Sequence, residues 1–263
     1  MTADLISAAP LEATGLVRAA FSTRRGGVSG GAYHRLNLAY TVGDAAEAVT
    51  ANRARVAAAL GIASGTLAEA EQVHGNQVAV IGRGGDGRPG GGPIRGVDAL
   101  ITADPGVWLA VYAADCVPVL ILDERTPAIA AAHAGWRGTA AAIVPQVLGR
   151  MRAAFGTAPA DCTVVLGPAI GGCCYEVDAP VARAMAGAPW WDVAARPTGS
   201  GRWRLDLRTA IRSQLLVLGV PDARAIAMTL CTACRPDLFF SHRRDGVTGR
   251  MAACLSLLCA EGS

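Results

Sequence analysis

Five short apolar runs, each bounded by turn residues, occupy the middle of the chain. A strand covered on both faces reads as a nearly continuous apolar run, whereas a strand with one wet face alternates apolar and polar residues. The runs predict strands of a largely buried sheet at residues 77–81, 107–113, 117–122, 127–132 and 162–166. With 52% hydrophobic and only 17% charged residues, the chain can bury a large core, which excludes a mainly disordered protein.

Two further segments have the three-to-four-residue apolar spacing of an amphipathic helix. The first begins with a predicted cap at Asp44 and stops at Gly61. The second lies at 205–219 and has Asp206 as its predicted cap. Helix and strand are both abundant, so the chain belongs to the α/β or α+β class.

Two features bear on how these elements are arranged. Residues 139–151 are helical in composition, but Pro145 lacks an amide donor and should kink the helix or move its start. The one linker-like stretch, 82–96, is rich in Gly, Pro and Arg and is interpreted as a surface loop. We therefore predict a single domain across residues 1–263.

Charge and residue usage exclude several classes of function. The net charge is only +3 and no run of five or six like charges occurs, so neither nucleic acid nor a membrane surface is an expected partner. All 24 basic residues are Arg, which excludes a Schiff-base lysine and a phosphate loop ending in Gly-Lys-Ser/Thr. Asp4 and Glu12 disagree with a secretory signal. We expect a cytoplasmic protein with reduced thiols and a small-molecule partner.

Three residues suited to metal binding lie at the ends of apolar runs. His74 and His133, two of only four histidines, each precede a glycine-containing turn, and Cys116 follows Asp115 between two predicted strands. Adjacent strands carry their terminal residues to one sheet edge, so these side chains can converge. Two imidazoles and a thiolate suit Zn(II) with a fourth position open. Their spacing is not a zinc signature, and satisfied core residues are the alternative.

Segments that combine glycine with arginine could hold an anion. Arg137 lies in a Gly-Trp-Arg-Gly turn, Arg24 lies in a Gly-rich loop, and Arg243 and Arg244 follow an aromatic pair. Asn37 adds an amide between two leucines. The alternative for the Arg137 segment is a tight turn with Trp136 in the core. A solvated surface turn explains the Arg24 loop equally well, and surface arginines around a hairpin turn are the default interpretation of Arg243 and Arg244.

Four other cysteines form two local pairs. Cys231 and Cys234 have Cys-x-x-Cys spacing, and Cys173 and Cys174 are adjacent. Neither pair is accompanied by a second pair at zinc-finger spacing. We therefore interpret all four as structural thiols.

Taken together, these segments resemble the YfiH-type laccase-domain family, once labelled polyphenol oxidases and now described as purine nucleoside phosphorylases with adenosine deaminase activity. The resemblance extends in family order from about Phe21 to Met251. The motifs that carry it are STRRGGVS at 22–29, LNL at 36–38, QVHG at 72–75, ADCVP at 114–118, AHAGWRG at 132–138, LGPAI at 166–170, CYEV at 174–177 and FFSHRRDG at 239–246. His242 departs from the family pattern, in which Tyr is more usual.

The resemblance implies a fold and a set of ligands. The fold is an α/β/β/α layered sandwich of the α+β class, with mixed sheets and flanking helices. The implied zinc ligands are His74, Cys116 and His133. The residues implied to contact nucleoside or phosphate are Arg24, Asn37, Arg137, Arg243 and Arg244.

The implied reactions are phosphorolysis of adenosine, inosine and methylthioadenosine, and deamination of adenosine. Cys116 and Asp115 are the catalytic candidates, with Asp115 either a general base or a support for Cys116. The older oxidase label fits poorly, because a multicopper oxidase needs on the order of ten His and this chain has four. A single copper ion in place of zinc is the less favoured alternative.

Two other functions are compatible with the same residues. Cys116, activated by His133, could be the nucleophile of a thiol hydrolase that cleaves an amide such as a cell-wall precursor. Alternatively, the chain could be a zinc-stabilised module that binds nucleosides without converting them.

Overall fold

A computed structural model describes residues 2–63, 65–82 and 84–259, and their main architecture is two β-sheets packed face to face. The strands are β1 (Leu5–Ser7), β2 (Val17–Ser22), β3 (Leu67–Glu69), β4 (Val78–Val80), β5 (Ala99–Thr102), β6 (Trp108–Ala113), β7 (Val117–Asp123), β8 (Ala128–Ala134), β9 (Cys162–Leu166), β10 (Glu176–Val177), β11 (Ala195–Gly199), β12 (Arg202–Leu205), β13 (Ala225–Ala227) and β14 (Met251–Leu257). The helices are α1 (Ala9–Glu12), α2 (Ala46–Leu60), α3 (Trp136–Ala140), α4 (Ile143–Phe155), α5 (Ala179–Met185), α6 (Trp191–Ala194), α7 (Leu207–Val217) and α8 (His242–Asp245).

The sheets are mixed, and most of their neighbouring strands are distant in sequence. The first has the strand order β1-β2-β14-β6-β3, and the second has the order β13-β9-β7-β8-β5-β4. A small antiparallel sheet has the order β10-β12-β11. The chain passes from the first large sheet to the second between β6 and β7, at the segment that contains Asp115 and Cys116.

The space between the two large sheets is filled by apolar side chains from both. Leu109 and Leu255 of the first sheet share a buried cluster with Leu120 and Ile129 of the second. Every residue of β7, β8 and β9 is buried. This confirms the buried strands predicted at 117–122, 127–132 and 162–166, because a strand covered on both faces has no wet side to carry polar residues. The run at 77–81 forms β4, which is only partly buried, and the run at 107–113 forms β6, which lies in the first sheet and not beside the others.

Helices cover the outer faces of the sandwich. Along β7 the side chains alternate, so that Val119 faces Val147 of α4 while Leu120 faces the first sheet. On the opposite face, Val56 of α2 packs in a cluster with Trp108 of β6. The order helix, sheet, sheet, helix confirms the predicted α/β/β/α arrangement with mixed sheets and flanking helices.

Two helix starts show how local chemistry sets the boundaries. Asp206 caps α7, where it accepts hydrogen bonds from the amides of Arg208 and Thr209, as predicted. The cap predicted at Asp44 is wrong. Helix α2 begins later, at Ala46, with Ala45 in the cap position. Oδ2 of Asp44 accepts hydrogen bonds from Ser29 and Asn37, and Oδ1 accepts one from the Ala45 amide, so neither oxygen reaches an amide of the first helical turn.

Pro145 moves a helix start, as its missing amide predicts. Helix α3 ends at Ala140, Ala142 adopts a left-handed conformation with φ of 60°, and α4 begins at Ile143. Pro145 thus lies in the first turn of α4, where backbone amides have no partner inside the helix.

The described residues of the predicted loop 82–96 contain only isolated bridges to neighbouring segments, and Arg83 lies outside the described residues. In the described parts of the chain, no helix is both long enough and apolar enough to cross a bilayer.

Candidate metal centre

His74, Cys116 and His133, the three predicted ligands, lie together at one edge of the sandwich. Their potential ligand atoms are all within 4.8 Å of one another. The two imidazole rings meet edge to face, with centroids 4.8 Å apart and an interplanar angle of 83°. The β7–β8 register pairs Pro118 with His133, and this pairing brings the residue just before β7, Cys116, alongside the end of β8.

Asp98, which the sequence analysis did not single out, organises this cluster. Its carboxylate is fully buried and lies 2.9 Å from Nδ1 of His133. It also accepts hydrogen bonds from the backbone amides of Val73, His74 and Gly75, at 3.2, 2.9 and 2.6 Å. With its proton held at Nδ1, His133 can present only Nε2 to a metal ion, so Asp98 fixes both the loop of one ligand and the tautomer of another.

Cys116 and His133 stabilise each other's charged forms. Burial alone would raise the pKa of the Cys116 thiol, but the charge and hydrogen bonds of His133 and His74 outweigh it and lower the pKa to about 6. Burial would likewise lower the pKa of His133, yet the Cys116 thiolate and Asp98 raise that pKa to about 9. Asp98 has a lowered pKa despite its burial, because His133 and the amides of Gly75 and His74 bond to its ionised form. The thiolate is the form of cysteine that binds metals.

The backbone is strained at two of the three ligand loops. His74 has a φ of 62° and Gln72 a φ of 65°, while Asp115, which precedes Cys116, has a φ of 97°. Non-glycine residues rarely adopt such angles and do so only where surrounding contacts hold them. The Asp98 carboxylate supplies those contacts for His74, since it accepts the His74 amide.

Both carboxylate oxygens of Asp115 are engaged by neighbouring segments. Oδ1 accepts a hydrogen bond from the Thr232 hydroxyl at 2.6 Å, and Oδ2 accepts one from the Arg243 amide at 2.6 Å. Its backbone carbonyl accepts from the Ile170 amide at 2.9 Å. Asp115 therefore ties the turn that carries Cys116 to the segment that carries Arg243.

The donor set and its surroundings fit a zinc ion. Two imidazole nitrogens and one thiolate are ligands that zinc accepts, and three protein ligands leave the fourth tetrahedral position open, as in catalytic sites. Gly135 keeps the space beside them clear, because a Cβ there would lie 2.9 Å from Sγ of Cys116 and 3.3 Å from Cδ2 of His74. From the sequence alone, this glycine is only a turn residue.

Gly135→Ala should weaken metal binding while the fold persists. The φ of Gly135 is −79°, which alanine adopts without strain, so the effect comes from crowding of Cys116 and His74. Overpacking of this kind costs about 1–3 kcal/mol, equivalent to about 5- to 150-fold in affinity. Competition against a chromogenic chelator measures this change. The control is Gly149→Ala, since a Cβ at Gly149 meets nothing within 4 Å, and equal affinities in the two variants would contradict the steric explanation.

Two of the predicted substrate contacts surround a buried tyrosine near the metal cluster. The Arg243 guanidinium lies 4.9 Å from the centroid of the Tyr175 ring, and its Nη1 donates to the carbonyl of Glu176. Burial raises the pKa of the Tyr175 hydroxyl to about 12, and the negative charge of Cys116 raises it further. The positive charges of Arg243 and Arg137 lower that pKa in part. Tyr175 is therefore within electrostatic reach of a ligand and of both arginines. Arg137 itself is exposed and lies over the Trp136 ring at 4.4 Å.

The other three predicted contacts make mainly internal interactions. Arg24 lies over the Phe240 ring at 4.6 Å and donates to the carbonyls of His34 and Pro236. Arg244 donates to three backbone carbonyls and pairs with Asp245.

Asn37 is fully buried and connects to a further arginine near the cluster. Its side chain accepts from the amides of Ala39 and Arg250, and it donates to the Ala39 carbonyl and to Asp44. Arg250 is largely buried, which lowers its pKa, while the charges of Cys116 and Asp115 favour its protonated form. Arg250 was not predicted, because its only signal in the sequence is a lone arginine after a glycine turn.

The remaining two histidines lie away from the cluster. His34 and His242 are both exposed, and their rings contact Arg35 and the Gly246 carbonyl respectively. Across the described ranges, the histidines therefore supply one metal cluster and do not assemble the many-imidazole arrangement of a multicopper centre.

Layered sheets with an open site of two histidines and one cysteine at their edge define a protein of the laccase-domain class. The chain belongs to the family whose model is described as multi-copper polyphenol oxidoreductase laccase, and that model matches residues 18–258. The crystal structure of the hypothetical protein YfiH of Bacillus licheniformis is similar, with a TM-score of 0.90 and 35% identity over 97% of this chain and 96% of that one.

Relatives with assigned names are also similar over most of their length. The purine nucleoside phosphorylase YlmD of Geobacillus stearothermophilus is 39% identical over 246 residues, which cover 89% of this chain and 88% of the relative. A purine nucleoside phosphorylase of Streptomyces coelicolor is 43% identical over 232 residues, which cover 88% of this chain and 92% of the relative.

Proposed function

We propose that this chain is a zinc-dependent purine nucleoside phosphorylase that acts on adenosine, inosine and methylthioadenosine and also deaminates adenosine. The observation that carries the proposal is the convergence of His74, Cys116 and His133 beside a group of cationic side chains. The names of the relatives at 39% and 43% identity support the purine nucleoside class.

Zinc, when bound by these three residues, supplies a Lewis acid and lowers the pKa of water, which is the chemistry that deamination at the purine ring requires. The Cys116 thiolate and the two imidazoles would hold the ion, and Asp98 would keep the proton of His133 on Nδ1. Asp115 is assigned as a positioning residue, because both of its carboxylate oxygens already accept hydrogen bonds. It maintains the turn before Cys116.

Phosphorolysis requires phosphate to attack the anomeric carbon while the bond to the purine nitrogen breaks. Arg137, Arg243 and Arg250 lie near Tyr175 or Cys116, and their guanidinium groups are suited to hold a phosphate dianion there. Arg24 and Arg244 are assigned to the walls that support this region, and Asn37 is assigned to position Arg250.

Product analysis tests the proposal directly. Metal-replete protein is incubated with adenosine, inosine or methylthioadenosine, with and without phosphate, and products are separated by chromatography. We expect free base and a pentose 1-phosphate only when phosphate is present, and inosine from adenosine with or without it. Absence of product from every nucleoside, with metal bound, would contradict the proposal and leave a nucleoside-binding module as the better description.

The same geometry favours one second candidate, a thiol hydrolase. The three side chains have the arrangement that thiol enzymes use. Cys116 would be the nucleophile, His133 the base and Asp98 the carboxylate that orients the base. Chelation separates the two functions, since EDTA should abolish the zinc-dependent reactions but activate an enzyme in which zinc blocks Cys116. Amide hydrolysis that rises with EDTA and disappears with iodoacetamide would favour the thiol hydrolase.

A further inference from the structure

We propose that Cys173, Cys174, Cys231 and Cys234 form a second metal site, a structural zinc site with four thiolate ligands. The structure brings the four sulfur atoms within 4.8 Å of one another, although they come from two segments far apart in the sequence. Sγ of Cys234 lies 3.3 Å from Sγ of Cys174 and 3.6 Å from Sγ of Cys173. This site is distinct from the His74, Cys116 and His133 cluster and goes beyond the proposed catalytic function.

The sulfur spacing matches tetrahedral coordination. With zinc–sulfur bonds of about 2.3 Å, two sulfurs on a tetrahedron are about 3.8 Å apart. The sulfur–sulfur distances of 3.3 and 3.6 Å, with all four sulfurs inside 4.8 Å, bracket that value. One ion at the centre therefore needs only small side-chain adjustments. A site closed by four protein ligands is the structural type of zinc site, whereas a catalytic site keeps a position open.

Backbone donors favour the thiolate of Cys231, and two arginines lie beside the cluster. The Gly171 amide donates to Sγ of Cys231 at 3.3 Å, and the Cys234 backbone bonds to the same sulfur. The guanidinium of the buried Arg208 borders the cluster, because it and Cys173 lie on either side of Gly171. A Cβ added at Gly171 would be 3.0 Å from Nη2 of Arg208 and 3.2 Å from Sγ of Cys173. Arg204 donates to the Cys173 carbonyl at 2.7 Å. Four thiolates around a divalent cation carry a net negative charge, and both neighbouring guanidinium groups also lie near carboxylates, Arg204 near Glu176 and Arg208 near Asp206.

A metal ion explains the arrangement better than a disulfide. A disulfide would join only two of the sulfurs, whereas here Cys234 approaches both members of the adjacent pair and Cys231 bonds into the same group. The exposed positions of Cys173 and Cys234 let an ion enter from solvent. The Cys-x-x-Cys spacing is typical of zinc ligands, and its second pair is the adjacent Cys173 and Cys174.

The position of the cluster indicates what the ion would stabilise. Cys231 forms a bridge with Ala169, and the Thr232 amide donates to the Ala169 carbonyl at 3.1 Å. The Thr232 hydroxyl bonds to Asp115, next to Cys116. The four cysteines thus join the segment before Tyr175 to the segment that supports the Cys116 turn, and an ion there would hold both segments in place beside the catalytic centre.

Zinc content of the full-length protein tests the proposal. We expect wild type, purified after growth with zinc, to contain about two equivalents by inductively coupled plasma mass spectrometry. The double variant Cys231→Ser/Cys234→Ser should contain about one equivalent of zinc, held by His74, Cys116 and His133. Cys116→Ala should also contain about one equivalent, held by the four cysteines. Cys259→Ser removes an exposed thiol outside both clusters and should leave the content unchanged.

A measurement on the wild type covers the case in which the double variant does not fold. Thiol titration before and after chelation should show the four cluster cysteines protected by zinc and reactive without it, identified by mass spectrometry of the labelled peptides. The proposal is overturned if the zinc-replete wild type holds a single ion that Cys116→Ala removes, or if the four cysteines contain a disulfide. Those outcomes leave the proposed function intact. Loss of zinc only from the double variant would instead support this site and contradict zinc catalysis at Cys116.

Discussion

Cys116→Ala is expected to abolish phosphorolysis and deamination together and to remove the metal ion from the His74, Cys116 and His133 cluster. The substitution removes the only anionic ligand, and the two imidazoles left behind are a weak site for zinc. Metal catalysis of this type is worth several kcal/mol of transition-state stabilisation, so turnover of both reactions should fall by about a thousandfold or more. The measurements are zinc content and the rates of product formation from adenosine with and without phosphate.

Cys254→Ala is the matched control for this loss. Cys254 is a buried thiol in β14 and belongs to neither cysteine-containing cluster, so the control removes the same atom from the core without touching a ligand. It should keep the wild-type zinc content and rates. If Cys116→Ala kept its turnover while lacking metal at this site, zinc catalysis would be wrong. If it kept both metal and turnover, Cys116 would not be a ligand.

Two of the three candidate metal ligands, Cys116 and His133, stand out in the sequence because they lie beside buried strands, whereas the complete set with His74 came from the family resemblance. β7 is apolar from Val117 to Leu122 and β8 from Ala128 to Ala132, so Cys116 stands out just before the first run and His133 just after the second. Local sequence also determines the Asp206 cap and the displaced start of α4, because both depend on backbone donors within a few residues. Such features require no knowledge of which strands pair.

The residues that the sequence did not reveal depend on pairing between distant segments. Asp98 reaches His133 only because β5 lies next to β8, with Ala99 opposite Ala132. The four cysteines of the second cluster lie in two segments that meet through the bridge between Ala169 and Cys231. Periodicity reports which face of an element is buried, but not which partner lies there, so these contacts required the three-dimensional structure.

Asp98→Asn should weaken metal binding at the His74, Cys116 and His133 cluster, although it only replaces one carboxylate oxygen with an NH2 group. The carboxylate accepts on both oxygens: Oδ1 faces His133 Nδ1 and the His74 amide, and Oδ2 faces the amides of Val73 and Gly75. An asparagine must present an NH2 group to one of these donor pairs, whichever way it is oriented. Donors then oppose donors in a fully buried place, at a cost of about 1–3 kcal/mol for each unsatisfied group.

Each orientation of the asparagine damages a ligand. An NH2 group toward His133 favours the tautomer with its proton on Nε2, the nitrogen needed for the metal, and an NH2 group toward Gly75 displaces the strained loop of His74. We expect zinc affinity to fall about 10- to 100-fold, with a parallel loss of activity that excess zinc partly restores. Isothermal titration of the metal-free protein and rates at increasing zinc measure these effects.

The control for this variant is Asp86→Asn. Asp86 also accepts a backbone amide, from Val80, and also pairs with a cation, Arg150, but it is exposed, where such a pair contributes at most about 1 kcal/mol. It should bind zinc as the wild type does. Zinc affinity of Asp98→Asn within twofold of that control would show that the buried carboxylate neither orients His133 nor holds the His74 loop. The cluster would then owe its geometry to the β7–β8 register alone.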